Sequence, residues 1–448
     1  MRSAILGARK RGSVNAVLAR AVSILASFLL TVAAARLLGV EAAGSYFLVF
    51  TSLAVVATFG RFGTDNLALK ICGGDSSDIR AELGYGAVVA AAASLVGIGL
   101  VFVGISLTSY HVPGFDSGWT LPLLSAVVAQ AFSVIAGAVL RGRGHLATGI
   151  IAELGSIPVL SILLLLTLSS FGALNLTTAL LALAGASWLT ALWAIPVAIA
   201  SIREERRSSA RLTVSGLKPY LRSRFGPLSS MMGTSLLFYV LTWSPLYALS
   251  FMSSLTNVSY FAIAARLANL VSLVPTLQVS YLAPAFARSF HQQDLTTLNV
   301  MSARAVRQAG LLLIIPVGAM SIGAIPIITL FYGSEFSAAA GPLAVLALGA
   351  LMVALAGHVN PLMLICNLES QALALNIVLV VLWGTLGLWV AARFGAMGVA
   401  WFAASANFSY AVAAAWLLQS RRGIRSYLSI GSPQSNRAIG ATSPSGLQ

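Results

Sequence analysis

Two arginines and one glutamate lie inside runs of about twenty apolar residues, where a charge has no water to face. Placing arginine near the centre of such a run costs roughly 2.5–3.5 kcal/mol, which makes each of these residues a functional candidate. Arg20 sits about 9 Å into the first run at 1.5 Å per residue, with Ser23, Ser27 and Thr31 following it on one helical face. Arg266 sits about 13 Å into the eighth run, and Ser259 and Asn269 share its face with Ala262 beside them. That pattern suits a face turned toward a polar cavity. Glu153, about 9 Å into the fifth run, is a counter-ion, a proton or ion-coupling site, or an interfacial carboxylate. Two readings compete with a binding role: snorkelling of Arg20 to headgroups, and a structural ion pair between Arg266 and Glu153. Two intramembrane cations against one carboxylate favour an anionic ligand.

The elements that position these residues are membrane helices. Of 448 residues, 58% are hydrophobic and 9% are charged, and the mean hydropathy is +0.90. A soluble domain carries about 25% charged residues, so a soluble enzyme, a nucleic-acid-binding domain and a secreted disulfide scaffold are excluded. Twelve spans are expected: Val14–Leu38, Gly44–Gly63, Leu83–Leu107, Trp119–Leu140, Ala147–Leu168 and Thr177–Ala200, then Gly226–Ser250, Asn257–Tyr281, Ala305–Leu330, Ala339–Pro361, Gln371–Ala392 and Gly395–Gln419. Helices follow because the bilayer core leaves backbone groups no partner but each other. Six span prolines (Pro158, Pro196, Pro245, Pro275, Pro316, Pro326) are expected to bend their helices.

The +15 net charge is arranged by side. Of the 27 Lys and Arg residues, 23 fall in alternate loops and tails, while Arg36 and Arg393 lie on the other side. This is positive-inside patterning with both termini cytoplasmic, and it makes anionic lipids, not nucleic acid, the partners of the basic surface. A cleavable signal peptide ending near Ala33-Ala34-Ala35 competes for the N-terminus, but Arg20 interrupts that apolar stretch. Cys72 and Cys366 fall in connections assigned to the cytoplasm, so neither a disulfide nor a metal site is expected.

The hydrophilic stretch Ser201–Arg224 carries seven bases and divides the chain nearly in half. Ser45-Tyr46-Phe47 recurs as Ser259-Tyr260-Phe261 and Leu53-Ala54 as Leu267-Ala268, both at a shift of 214. With six helices per half, a parallel internal repeat is expected. The expected division is a six-helix lobe over 1–200, a basic cytoplasmic linker over 201–225, a second six-helix lobe over 226–420 and a disordered cytoplasmic tail over 421–448.

Several chemistries are excluded. No lysine follows a glycine, so a Walker A loop cannot form. None of His111, His145, His291 and His358 is followed by glutamate, which removes the HExxH zinc motif, and no GxSxG elbow is present. No catalytic residue and no cofactor is expected.

The stretch Ala35-Arg36-Leu37-Leu38-Gly39-Val40-Glu41-Ala42-Ala43-Gly44-Ser45-Tyr46 resembles the "ARxLGxExxGxY" entry signature of bacterial polysaccharide and O-antigen flippases, within the multidrug/oligosaccharidyl-lipid/polysaccharide exporter superfamily. Val258–Leu267 resembles the family's "VGxYxxAxRL", Phe331–Phe336 its "FGxxF" and Gly395–Ala400 its "GxxGxA". The resemblance implies two six-helix lobes around a MATE-like V-shaped cavity. It also implies a polyprenyl-diphosphate-linked oligosaccharide as cargo, moved across the inner membrane for exopolysaccharide or O-antigen (lipopolysaccharide) synthesis, with a polymerase and a chain-length regulator as candidate partners. Many relatives carry an aspartate in helix 7, where this chain reads Leu241-Thr242-Trp243-Ser244-Pro245. A cation-coupled multidrug exporter of the same fold and a membrane enzyme of polysaccharide assembly are the alternatives.

Overall fold

A computed structural model describes residues 2–73, 79–108, 117–203 and 214–427. Most of the expected outer loop Tyr110–Gly118, with Asp116, lies outside the described residues, as do linker residues 204–213 and the tail from 428.

The described chain is helical. The first half contains α1 (Arg2–Leu38), α2 (Val40–Arg61), the short α3 (Thr64–Gly73), α4 (Ile79–Thr108) and α5 (Thr120–Gly142). It continues with α6 (Leu146–Ile150), joined through a π-turn at Ile151–Gly155 to α7 (Ser156–Ser170), and ends with α8 (Leu176–Arg203). The second half contains α9 (Val214–Met252), α10 (Leu255–Ala268), α11 (Leu273–His291), α12 (Leu295–Ile322) and α13 (Ala324–Phe331). It closes with α14 (Ala340–Ala356), α15 (Val359–Ile365), α16 (Glu369–Leu382) and α17 (Leu388–Arg422). Among the described residues, eleven helical stretches are long and apolar enough to cross a membrane, and the last, Glu369–Arg422, is 54 residues long. Inside it Gly395 adopts φ 55° and ψ −147°, which breaks the helix. Counting that stretch as two crossings gives the twelve read from hydropathy. The fold class is therefore an all-helical polytopic membrane architecture.

The chain gathers into two compact units. One holds residues 1–270, 324–343 and 380–402; the other holds 271–323, 344–379 and 403–448. In the first unit, α5 and α8 pack side by side, and Leu140, Val139, Ala194 and Ala198 share a core with Leu67, Ile71 and Leu228. The outward surface of α4 is apolar, with Leu95, Leu100, Phe102 and Val103 exposed, as expected where the neighbour is lipid.

Three turns of the second half belong to this first unit: those before α10, after α13 and at Gly395. With the α1–α2 turn they lie on the face opposite the basic loops. There Arg36 donates from Nε to the Phe331 carbonyl at 2.6 Å and from a terminal nitrogen to the Leu330 carbonyl. Both acceptors are end-of-helix carbonyls of α13, which have no partner within their own helix. Thr31 Oγ1 lies 3.0 Å from the Tyr332 hydroxyl, and the Tyr260 hydroxyl donates to the Glu335 carbonyl at 3.4 Å.

Helices α2 and α10 cross closely because Gly44 has no side chain. A Cβ on Gly44 would stand 2.2 Å from the Leu255 carbonyl oxygen and 3.4 Å from Ser259 Cβ. A backbone oxygen at the head of a helix cannot step aside without moving the helix. We expect Gly44→Ala to lower the thermal-unfolding midpoint of the detergent-solubilised protein, reflecting a loss of about 1–3 kcal/mol. The control is Gly99→Ala, a position with nothing within 4 Å, which should leave the midpoint unchanged.

Candidate functional site

The site is built on four helices of the first unit. Ser27, Leu30 and Thr31 of α1, Tyr46, Phe47, Phe50 and Thr51 of α2, and Thr242, Trp243 and Leu246 of α9 line one cavity. Phe261, Ala262, Ala265 and Arg266 of α10, with Asn269 just beyond it, complete the lining. The wall is mostly apolar, with a few hydroxyls, one amide and one guanidinium, a composition typical of a small-ligand site.

Arg266 is held by rings. Its guanidinium carbon lies 5.1 Å from the Trp243 ring centre and 5.8 Å from that of Phe50. Among the described residues no carboxylate lies within ion-pairing distance of it. Cation–π contacts of this kind contribute about 2 kcal/mol each when water is excluded, enough to offset part of the burial cost while leaving the charge uncancelled. Rings contact the face of a guanidinium and accept none of its hydrogen bonds, so the donor fork can still serve an anion.

Trp243 belongs to a stripe. Tyr239, Trp243 and Tyr247 recur every four residues down one side of α9, the spacing that keeps side chains on one helical face. Tyr239 carries the Arg61 guanidinium carbon 5.9 Å from its ring centre, and the Tyr247 hydroxyl donates to Ser52 Oγ at 3.2 Å. Pro245 lies inside this helix and removes the donor that the Leu241 carbonyl would have used. The Ser244 hydroxyl supplies a replacement at 3.0 Å, so the proline leaves no orphan acceptor in the membrane.

The residues expected from the sequence separate into two groups. Arg266 and Asn269 line the cavity together. Ser259 does not: it is fully buried against Gly44, two turns nearer the closed α2–α10 crossing. Sharing a helical face with Arg266 gave it the right side but the wrong depth. Arg20 is exposed and lies outside the lining, roughly 10 Å along α1 from Ser27 at the helical rise. Of the hydroxyls that follow it, Ser27 and Thr31 line the cavity, whereas Ser23 turns to the Ala19 carbonyl and packs at Gly155.

Glu153 pairs with Arg141, not with Arg266. Its carboxylate lies 2.8 Å from the Arg141 guanidinium, with the two side chains 21% and 28% exposed. Two glycines permit the meeting: a Cβ on Gly137 would stand 2.7 Å from the Gly149 carbonyl oxygen, so α5 and α6 come into backbone contact. Glu153 sits within the π-turn, a rare single-turn bulge that recurs at functional sites. A second pair closes the same end of the unit. Arg61, with only 8% of its side chain exposed, reaches Asp65 at 3.2 Å and donates to Thr58 Oγ1 at 2.6 Å.

Sequence reasoning missed Phe50, Trp243, Tyr46 and the Arg61–Asp65 pair. The four-residue aromatic spacing in α9 was the available signal for Trp243.

No family model matches the chain, and no curated protein matches it. Solved structures do. An inward-facing multidrug-resistance MATE-family transporter of the MOP superfamily superposes with a TM-score of 0.64 at 14% identity, covering 90% of this chain and 94% of that one. The lipid II flippase MurJ, in an inward closed conformation, superposes at 0.62 with 15% identity, covering 92% and 87%. The Vibrio cholerae MATE transporter VcmN, in a point-mutant form, superposes at 0.61 with 15% identity, covering 94% and 97%. At these identities the likeness is architectural: this chain has the fold shared by the MATE transporters and the MurJ flippase.

Proposed function

We propose that the chain is a flippase that moves a polyprenyl-diphosphate-linked oligosaccharide across a bacterial inner membrane, for exopolysaccharide or O-antigen synthesis. The observation that carries this reading is Arg266, an intramembrane guanidinium in a cavity with no carboxylate in its wall. A diphosphate supplies the missing counter-charge in a geometry that matches the guanidinium fork. Asn269 and Thr242 offer further hydrogen-bonding groups to the head group, while the polyprenyl tail remains in lipid. The lobes over 1–200 and 226–420 would alternate the access of this cavity, with both termini cytoplasmic and the basic linker against anionic headgroups. Arg20 would meet the head group first, two helical turns before the cavity. A polymerase and a chain-length regulator on the outer side are the partners this reading implies.

A cation-coupled multidrug exporter is the second reading, favoured by the multidrug MATE transporters among the structural neighbours. Cationic cargo would need an acid in the cavity wall, and the lining has none. A wall of Phe50, Trp243 and Arg266 suits anions better than dyes.

The test uses the purified protein in lipid nanodiscs with undecaprenyl diphosphate as probe. We expect Arg266→Ala to weaken binding by about 10- to 100-fold, the range for losing one buried charge-assisted pair. Arg266→Lys should recover part of the loss, because charge is kept and the fork is not. Unchanged binding in Arg266→Ala would remove the site assignment.

A separate measurement discriminates the two readings at Glu153. Glu153→Gln should lower the unfolding midpoint, reflecting about 1–3 kcal/mol from the stranded Arg141, and leave lipid-diphosphate binding within twofold. Loss of protection against cationic dyes in cells carrying Glu153→Gln would instead favour the exporter.

A further inference from the structure

The second unit holds a buried titratable side chain that the cargo reading does not use. Between α14 and α15 the helix breaks at Gly357 and His358. His358 is only 5% exposed, and neither ring nitrogen has a hydrogen-bond partner. The Pro275 carbonyl of α11 lies beside the ring without meeting hydrogen-bond geometry, and the Phe286 ring centre is 6.3 Å away. Gln278 stands on the same face of α11, between Pro275 and Phe286 in helical register. Its Nε2 donates to the Ala305 carbonyl of α12 at 3.1 Å, while its Oε1 is buried without a partner. Ser302, one turn before Ala305, is fully buried with its hydroxyl unpartnered. Three side chains with unpartnered polar groups thus lie buried in this unit.

A strap covers the break. After α17 the chain runs back through Gly423–Tyr427, burying Ile424 and Ser426 completely. The Ser426 hydroxyl donates to the Ala356 carbonyl at 3.2 Å, an acceptor freed by the helix break. Asn299 clamps the strap from both sides, donating to the Gly423 carbonyl at 3.3 Å and accepting from the Arg425 amide at 2.8 Å. Gly357, at φ +96°, is the only residue type that fits beneath it: a Cβ there would stand 1.8 Å from the Ser426 carbonyl oxygen.

We propose that His358 is a proton-binding site and that the Gly423–Tyr427 strap is the cover that leaves when the proton binds. The proton comes from bulk water, and the imidazole becomes imidazolium with no other bond changed. No counter-ion awaits that charge. The sequence of this unit contains two carboxylates, Asp294 and Glu369, and both are exposed. The other charged groups on the packed elements are Arg288, Arg304, Arg307, Arg421, Arg422 and Arg425, all exposed and of the same sign as the imidazolium. Cys366, Tyr410 and Tyr427 are the remaining titratable neighbours in this core, and His291 is exposed at the end of α11. A buried, unpaired imidazolium is costly, so the charged form is held only where water enters, and water enters where the strap lifts. Acidification therefore favours the lifted strap, the state in which the imidazolium is hydrated.

The test uses the full chain in nanodiscs, with Cys72→Ser, Cys366→Ala and a spin label on Arg425→Cys, whose side chain is exposed in the seated strap. Between pH 8.5 and 5, the ratio of mobile to immobile label should rise by up to tenfold per pH unit, the limit for one proton. In His358→Phe the ratio should stay low and flat; if that variant fails to run as a single species, His358→Gln takes its place. The response should persist when His111, His145 and His291 are all replaced by Gln and His358 alone remains. A flat profile in the parent, the same titration without His358, or loss of the response in the triple replacement would each overturn the proposal. No cargo is needed for the readout, so its failure would leave the Arg266 assignment standing.

Discussion

A single guanidinium with rings in place of a counter-charge sets the terms for the first unit. A membrane interior tolerates arginine only if something replaces water around it. A carboxylate would do so most strongly, but it would also cancel the charge and close the fork. Trp243 and Phe50 stabilise the cation through their quadrupoles and leave its hydrogen-bond donors free. The rest of the site serves that arrangement. Pro245 takes a backbone donor out of α9 two residues after Trp243, and Ser244 repairs the acceptor left behind. Glu153, the carboxylate that the sequence offers as a partner for Arg266, is engaged with Arg141.

Glycine does for the backbone what the rings do for the charge. Helices in lipid gain little from the hydrophobic effect and associate by close packing, so small residues mark their crossings. Gly44 admits the Leu255 carbonyl, Gly137 and Gly149 admit each other's helices, and Gly357 admits the strap. Each contact places a polar or charged group that would otherwise be several ångströms away. Glu153 reaches Arg141 because α5 and α6 touch, and the strap reaches the break in α14 because nothing projects from Gly357.

Much of this was legible in the sequence, and the remainder was not for definite reasons. Hydropathy located the spans because lipid makes one demand on every residue in them, and the break at Gly395 accounts for the longest stretch. Arg266 announced itself as a charge in an apolar run, and Asn269 followed by helical spacing. Spacing reports the side of a helix but not the depth at which a neighbour closes over it, which is why Ser259 fell outside the cavity. Partner choice was also hidden: the Glu153–Arg141 pair depends on two glycines and a π-turn that leave no periodic signature. Cation–π pairing is equally silent, since any aromatic residue in a membrane helix reads as ordinary apolar bulk. His358 gave no signal beyond its isolation from other metal-ligating residues, because its interest comes from a chain segment almost seventy residues downstream.

The Arg36 contacts carry a consequence for the face opposite the basic loops. Two carbonyls at the end of α13 rely on that one side chain for their hydrogen bonds. Any rearrangement that parts α1 from α13 strands both acceptors and the guanidinium together, and acyl chains cannot serve any of the three. The first crack along this line must therefore flood at once, and it can form only within reach of the headgroup layer, where hydration or a lipid phosphate can take over the freed groups. A membrane's interfacial water, as much as the protein's own springs, would then set how readily that door unlatches.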